Sequence, residues 1–248
     1  MMLPRYPRTY HIEGSKGGDP EAISISSLAK KYLVIEEKMD GSMVSIYFDD
    51  NGDLHLRHRN KEVRGVEFDL LKRWTREIEE KLFDRLGDQF IMYGEWLFAC
   101  HTIFYDKLPS YFLEYDVYDR AAETFLSTLR RKEILFGMPI HSVLILDQGE
   151  FHHRRELEEL VTSSNFASID QLETAVRLFE EVGLRRGDAL KCLDLSLQME
   201  GLYIKHEDES RVLGRYKYIR KDFIDTILRS GHWKDRPLVQ NQLDANRY

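Results

Sequence analysis

The stretch Val34-Ile35-Glu36-Glu37-Lys38-Met39-Asp40-Gly41-Ser42 constrains the fold more than any other part of the chain. A β-prone apolar run at 32–35 ends in two acids and a lysine, and Asp-Gly follows at once. Glycine tolerates positive φ, so Asp-Gly predicts a tight turn. A second β-prone run occupies 43–48. Lys38 is therefore expected at a strand end, on a rigid mount, facing whatever the sheet encloses. The same pattern also describes a hairpin with a surface lysine. What separates the two readings is whether further motifs follow in order.

The chain after Lys38 alternates strand and helix texture. A hairpin is expected from 44–48 through Asp49-Asp50-Asn51-Gly52 into 54–59. In its second strand His55, Arg57 and Arg59 alternate with Leu54, Leu56 and His58, so Arg59 and Lys38 are expected to face one cavity. Residues 68–86 carry apolar side chains at helical spacing and stop at Gly87, which predicts one helix. Short strands are expected at 90–93, running into Gly94-Glu95, and at 111–118, with an aromatic-rich loop at 100–110. From 127 to 197 the texture is helical, with a strand at 141–146. Ser127 can cap a helix to Phe136. Ser168 with Gln171 makes a capping box for 169–182, whose stripe is Ile169, Leu172, Val176 and Phe179. Neighbouring His152 and His153 point apart and do not read as a metal pair. Strands return at 202–205 and 212–219, then a helix at 223–228, and the tail around Pro237 has no clear element. At the other end Pro4, Pro7 and the Gly-rich 13–18 read as an arm and loop, with a short helix at 23–31. The arm Tyr6-Pro7-Arg8-Thr9-Tyr10-His11 is expected along the domain edge rather than in a cleft.

A net charge of −7 argues against indiscriminate coating of nucleic acid. It leaves room for a local basic groove, and Arg211, Arg215, Lys217, Arg220 and Lys221 are the concentrated candidate. No apolar stretch approaches the roughly 18 residues of a membrane span. The N-terminal residues lack the apolar core of a signal peptide. Cys100 and Cys192 suggest neither a disulfide framework nor a zinc site. A cytoplasmic protein with no membrane partner is expected.

Four later stretches fall into register behind Lys38-Met39-Asp40-Gly41. They are Arg59-Asn60, Tyr93-Gly94-Glu95, Phe112-Leu113-Glu114-Tyr115-Asp116, and Glu200-Gly201-Leu202-Tyr203-Ile204-Lys205 ahead of Arg215-Tyr216-Lys217. This ordered set, over about residues 32–221, resembles the covalent nucleotidyltransferase superfamily of ATP-dependent RNA ligases, DNA ligases and messenger-RNA capping enzymes. Among these the RNA ligases are the most similar. The resemblance implies an α+β nucleotidyltransferase domain, with antiparallel sheets around a nucleotide cleft and helices outside. It implies one domain over 1–248 with a helical insertion at about 127–197. About 27 residues follow Lys221, too few for the OB barrel of DNA ligases and capping enzymes.

The resemblance implies ATP and Mg2+ (or Mn2+) as cofactors, and RNA with 5′-phosphate and 3′-hydroxyl ends as partner, in RNA repair. It implies Lys38 as nucleophile, forming a lysyl-AMP. Glu37, Arg59, Glu95, Tyr115, Lys205, Arg215 and Lys217 would bind the nucleotide: Glu95 at a ribose hydroxyl, Tyr115 stacked on the purine, Arg59 at sugar and phosphates. Glu200 would hold the metal, and Asp40 would fix the turn. A lysine attacks phosphorus only as the free amine, so Arg215, Lys217 and the metal are expected to lower the pKa of Lys38. Arg220 is a rival to Arg215 as partner of Lys217, and ATP against GTP stays open. Alternatives are a DNA ligase core, a capping-type nucleotidyltransferase, or a degenerate nucleotide-binding subunit that recruits RNA.

Overall fold

A computed structural model describes residues 6–15 and 21–245. Residues 1–5 of the predicted arm and 16–20 of the Gly-rich loop lie outside the described residues. In chain order the strands are β1 (Tyr10–His11), β2 (Leu33–Glu37), β3 (Ser42–Phe48), β4 (Leu54–His58), β5 (Lys61–Glu62) and β6 (Phe90–Trp96). They continue as β7 (Phe112–Asp119), β8 (Thr124–Phe125), β9 (His141–Ser142), β10 (Ile145–Gly149), β11 (Gly201–Glu207) and β12 (Val212–Ile219). The α-helices are α1 (Asp69–Glu77), α2 (Glu79–Leu86), α3 (Thr128–Leu135), α4 (Arg154–Glu158), α5 (Gln171–Glu181), α6 (Arg186–Cys192) and α7 (Lys221–Ser230).

The strands form two mainly antiparallel sheets. One has the order β1-β12-β11-β2-β10; the other runs β5-β4-β3-β6-β7-β8, with β9 added beside β7. Among the described residues neither sheet closes into a barrel, and no helix is long and apolar enough to cross a membrane. This is the α+β architecture that the motifs imply.

The period-2 alternation of strands decides where each sheet is apolar. In the five-stranded sheet Leu33, Ile35, Leu202, Ile204, Tyr216 and Tyr218 join a core with Ile12, Phe151 and Leu157. The alternate positions Glu36, Lys205, Glu207 and Arg215 are buried and charged. Those charges pair with residues of β7 and α3, so the seam between the two sheets is ionic. Val44, Ile46 and Phe48 of the second sheet pack with Leu71, Leu82 and Leu135 of α1, α2 and α3.

The strands on either side of Asp40-Gly41 do not pair as a hairpin, so the rival reading of a hairpin with a surface lysine fails. β2 pairs with β11 and β10, whereas β3 pairs with β4 and β6, so residues 38–41 cross from one sheet to the other. A turn signal is local, and sheet membership is set by distant partners. Gly41 is also not at positive φ. It is needed for space, because a Cβ there would lie 2.7 Å from Leu97 Cδ2 and 2.8 Å from the Trp96 carbonyl oxygen.

Other elements differ in detail. The helix predicted at 68–86 breaks at Ile78 into α1 and α2, and Gly87 ends it at positive φ as expected. Ser127 caps α3 by accepting from Arg130 N. Ser168 instead binds Asp106, α5 starts at Gln171, and Ile169 is 82% exposed rather than in the stripe. His153 caps α4. β10 lies beside β2, so the 127–197 stretch lends an edge strand to the sheet that carries Lys38. The N-terminal arm does run along an edge, as β1 on β12. The C-terminal tail, unstructured to sequence reasoning, bridges Ala99 through Gln240 and Leu108 through Leu243.

Candidate nucleotide-binding site

Lys38 leaves β2 with its backbone still tied to the sheet: its N–H donates to the Gly201 carbonyl at 3.0 Å. Gly201 lies so close to the Tyr218 carbonyl that no Cβ fits. Asp40 then locks the crossing. Its Oδ2 accepts from Thr102 N at 2.7 Å and Ile103 N at 2.9 Å, while its own N–H donates to Tyr105 Oη at 2.9 Å. Tyr105 N in turn donates to Asn241 Oδ1 at 2.9 Å. Asn241 is fully buried and also donates to the Leu97 carbonyl. Asp40 thus fixes the turn as expected, through a loop that the C-terminal tail holds in place.

The Lys38 side chain is 26% exposed, and its Nζ lies 2.7 Å from Glu200 Oε1. Its electrostatic surroundings correct the sequence-based expectation. Burial works to lower its pKa, but Glu200, Glu95 and Asp40 outweigh that and hold it above the ordinary lysine range. Arg215, expected to act in the opposite sense, is occupied elsewhere. Burial also pushes Glu95 up to about 8 and Glu200 up to about 7, with Lys38 pulling each back. Without nucleotide, the Lys38 ammonium is held by Glu200, with Glu95 nearby.

This arrangement suits a magnesium-type ion. Such ions keep few protein carboxylates and complete their shell with water and substrate phosphates. The buried Glu200 and the half-buried Glu95 both act on one cation here, and among the described residues no cluster of three or more His, Cys, Asp or Glu forms a metal cage. Glu200→Gln removes the largest influence raising Lys38 and leaves Glu95 and Asp40 alone to oppose burial. The pH at which Lys38 reacts with an amine-directed reagent should fall. An unchanged profile in a titration of labelling rate would show that Glu200 does not hold the lysine protonated.

A cleft of roughly 690 Å³ opens beside Lys38. Of the residues expected to bind nucleotide, Glu37, Lys38, Glu95, Tyr115 and Lys217 line it. Tyr115 reaches it through a β-bulge: Glu114 pairs with Gly94 and Asp116 with Tyr93, which leaves Tyr115 without a partner of its own. Glu37 is additionally held by Ser164 Oγ at 2.5 Å and Asn165 Nδ2 at 3.1 Å, both from the 127–197 stretch.

Arg59, Lys205 and Arg215 are not brought into the cleft. Arg59 lies past the end of β4, exposed, in a turn at φ 56°. Lys205 is fully buried, 3.1 Å from Glu36 Oε2, and its Nζ donates to the Tyr115 carbonyl at 2.8 Å. It grips the backbone of Tyr115, which lines the cleft, and does not itself line it. Arg215 Nε lies 3.1 Å from Asp116 Oδ2, and its guanidinium stands 3.8 Å above the Phe125 ring. Arg220, the rival, pairs with Asp194 and Asp222.

Sequence reasoning did not find Tyr6 and Tyr203 as cleft residues. Tyr6 hydrogen-bonds Asp116 and lies 2.6 Å from Tyr203 Oη, with its ring tilted on Tyr93 at 4.9 Å. The arm therefore follows the edge and reaches the cleft as well. The only signal available was an aromatic ahead of a proline, which is uninformative alone. Arg131, which pairs with Glu36 and Glu114, was also unmarked, because α3 has no clear apolar stripe and buries this arginine while Leu129 is exposed.

Comparison with known proteins bears on the fold and the family. The chain's fold is similar to that of an RNA ligase from Naegleria gruberi. One structure, with ATP and Mn, aligns at 17% identity and TM-score 0.54, covering 81% of this chain and 53% of that one. Another, also with ATP and Mn, aligns at 16% identity and TM-score 0.56, covering 90% and 59%. An apo form aligns at 16% identity and TM-score 0.54, covering 95% and 61%. The chain thus spans a little over half the length of these structures. No curated protein sequence matches it. A model of the RNA ligase family matches residues 31–219, which contain Lys38, both sheets' central strands and the whole cleft except Tyr6 and Thr9. The chain belongs to the RNA ligase family.

Proposed function

We infer that this chain is an ATP-dependent RNA ligase that joins 5′-phosphate and 3′-hydroxyl ends through a lysyl-AMP intermediate. The observation that carries the reading is Lys38, fixed at a strand end between Glu200 and Glu95 at the mouth of a tyrosine-lined cleft. In the first step the Lys38 Nζ lone pair forms a bond to the α-phosphorus of ATP. The bond from that phosphorus to the bridging oxygen breaks, pyrophosphate leaves with the electron pair, and the amine gives up its proton. Transfer of AMP to a 5′-phosphate and attack by a 3′-hydroxyl, which releases AMP, complete the sealing.

Each group has a task in that scheme. Tyr115 offers its ring to the purine. Glu95 accepts from a ribose hydroxyl. Lys217 provides charge complementary to the phosphates on the same wall as Lys38. Magnesium or manganese, held by Glu200 and the substrate phosphates, would neutralise charge at the α-phosphate. Once the Glu200 charge is engaged elsewhere, burial favours the neutral amine of Lys38, which is the nucleophilic form. Phosphoryl transfer depends mainly on such positioning and electrostatics.

The test of substrate class is a nicked duplex that differs only in ribose or deoxyribose at the nucleotide supplying the 3′-hydroxyl. The 2′-hydroxyl is the group by which a protein tells the sugars apart. Sealing is expected to be faster with ribose. Equal or faster sealing of the all-DNA nick would move the chain to DNA joining.

A further inference from the structure

The basic run at 211–221, the one concentrated candidate for an RNA grip, is largely spent: Arg211 lies 3.5 Å from Asp208, Lys217 lines the nucleotide cleft, and of the five only Lys221 is exposed without an ion pair among the described residues. Arg215 is committed to Asp116 and Arg220 to Asp194 and Asp222, all within the protein. Uncommitted cations stand elsewhere. Arg59 and Lys61 are exposed, and neither forms an ion pair among the described residues. Lys61 is the antiparallel partner of His58, so the two side chains share one face of the hairpin, and Arg59 stands in the turn between them. The acids nearby are already engaged. Glu62 takes Arg57 at 3.2 Å and His55 at 3.3 Å.

The C-terminal turn meets this hairpin. Lys234 Nζ lies 3.2 Å from Glu67 Oε1, next to Phe68, whose ring is 5.9 Å from that of His58. Trp233 stacks on His101, with centroids 4.2 Å apart and planes at 18°. His101 in turn reaches Asp40 at 3.8 Å and Ser42 Oγ at 3.5 Å. An aromatic stack therefore begins beside Asp40 and ends at the partly exposed Trp233, with Lys234 Nζ 5.2 Å from its ring centroid, and both Lys234 and Arg59 act electrostatically on His58. None of these residues lines the nucleotide cleft.

We propose that this face, formed by Arg59 and Lys61 of the β4–β5 turn with Trp233 and Lys234, binds the RNA strand whose end meets the adenylylated Lys38. Its phosphates lie on the basic side chains and a base stacks against Trp233. The proposal rests on the RNA-ligase reading. Aromatic platforms beside tracking cations are how proteins hold single strands without reading sequence. On a chain of net charge −7 the attraction is confined to such a patch, which directs the strand toward the nucleophile rather than over the surface.

The full chain is tested as Trp233→Ala, Trp233→Phe and the pair Lys61→Ala/Lys234→Ala. Fluorescence anisotropy of a labelled single-stranded RNA reads binding, and labelled ATP without RNA separately reads adenylylation. Trp233→Ala should weaken RNA binding about tenfold, and Trp233→Phe should restore most of it, because the stacking face returns. The charge pair should reduce the slope of log affinity against log salt by about 1.4, at roughly 0.7 per phosphate. Adenylylation should match that of the unaltered chain in every variant. RNA binding by Trp233→Ala equal to that of the unaltered chain, or an unchanged salt slope in the charge pair, overturns the proposal. Failure of the unaltered chain to take up label, with RNA binding still dependent on Trp233, removes the ligase reading and leaves the binding face standing.

Discussion

Lys38→Ala should take up no acid-labile label from α-labelled ATP while remaining folded. No other group can replace the bond from Nζ to phosphorus, so the expected loss is complete rather than partial. The same assay with labelled GTP and NAD identifies the nucleotide, and ATP is expected to label the unaltered chain. The fold should survive because the Lys38 backbone, not its side chain, continues the β2–β11 ladder. The stability cost should depend on pH in a definite direction. Glu95 and Glu200 are raised to about 8 and about 7 chiefly by burial, and Lys38 is what pulls them down. A carboxylate whose folded pKa exceeds its unfolded value costs stability as pH rises from about 4.5 through the folded value. Removing the compensating cation steepens that loss. The melting temperature of Lys38→Ala should therefore lie closer to that of the unaltered chain at pH 5 than at pH 8.5. Label appearing on another lysine would collapse the whole motif register.

The largest stability effect is expected at Arg131. Its guanidinium is fully buried on α3 and pairs with Glu36 of β2 and with Glu114 Oε2 of β7, the latter at 2.6 Å. One side chain thus joins the two sheets. Taking away one member of a buried ion pair leaves an uncompensated charge and typically costs about 3–5 kcal/mol. Arg131→Met should lose about that much unfolding free energy at neutral pH, or roughly 10 °C in melting temperature for a chain of this size. Glu36 retains Lys205, so Glu114 bears most of the deficit, with Ser142 Oγ at 2.7 Å as its remaining donor. Glu114→Gln added to Arg131→Met should therefore recover part of the loss. A chemical denaturation curve for Arg131→Met within about 1 kcal/mol of the unaltered chain would show that the network does not hold the sheets together.

The sequence was informative where chemistry and local pattern coincide. Lys38 does stand at a strand end, and Glu95 and Tyr115 do line the cleft beside it. Strand and helix positions followed from alternation and caps. What escaped was decided by partners far along the chain. Residues 38–41 read only as a tight turn, because nothing local says that β2 pairs with β11 while β3 pairs with β6. Lys205 and Arg215 read as nucleotide ligands because a cation in a strand looks the same whether a carboxylate or a phosphate faces it. Three buried acids, Glu36, Glu114 and Asp116, had claimed the buried cations at the sheet seam first. Arg59 was placed by alternation, but the strand stops one residue earlier, and a left-handed φ turns the chain there.

The tail's grip on the loop after β6 has a consequence for synthesis. Asp40 is locked by residues 102, 103 and 105, and residue 105 is itself held by Asn241. The first edge strand likewise waits for its neighbour, since Tyr10 pairs with Tyr216. A ribosome delivers the nucleophile early, but more than 200 residues separate Lys38 from the side chain that completes its clamp. Contacts so distant in sequence make folding slow and strongly cooperative. An emerging chain therefore carries an exposed lysine without a finished site. On the ligase reading, the site that would take up nucleotide is complete only when residue 241 has left the exit tunnel.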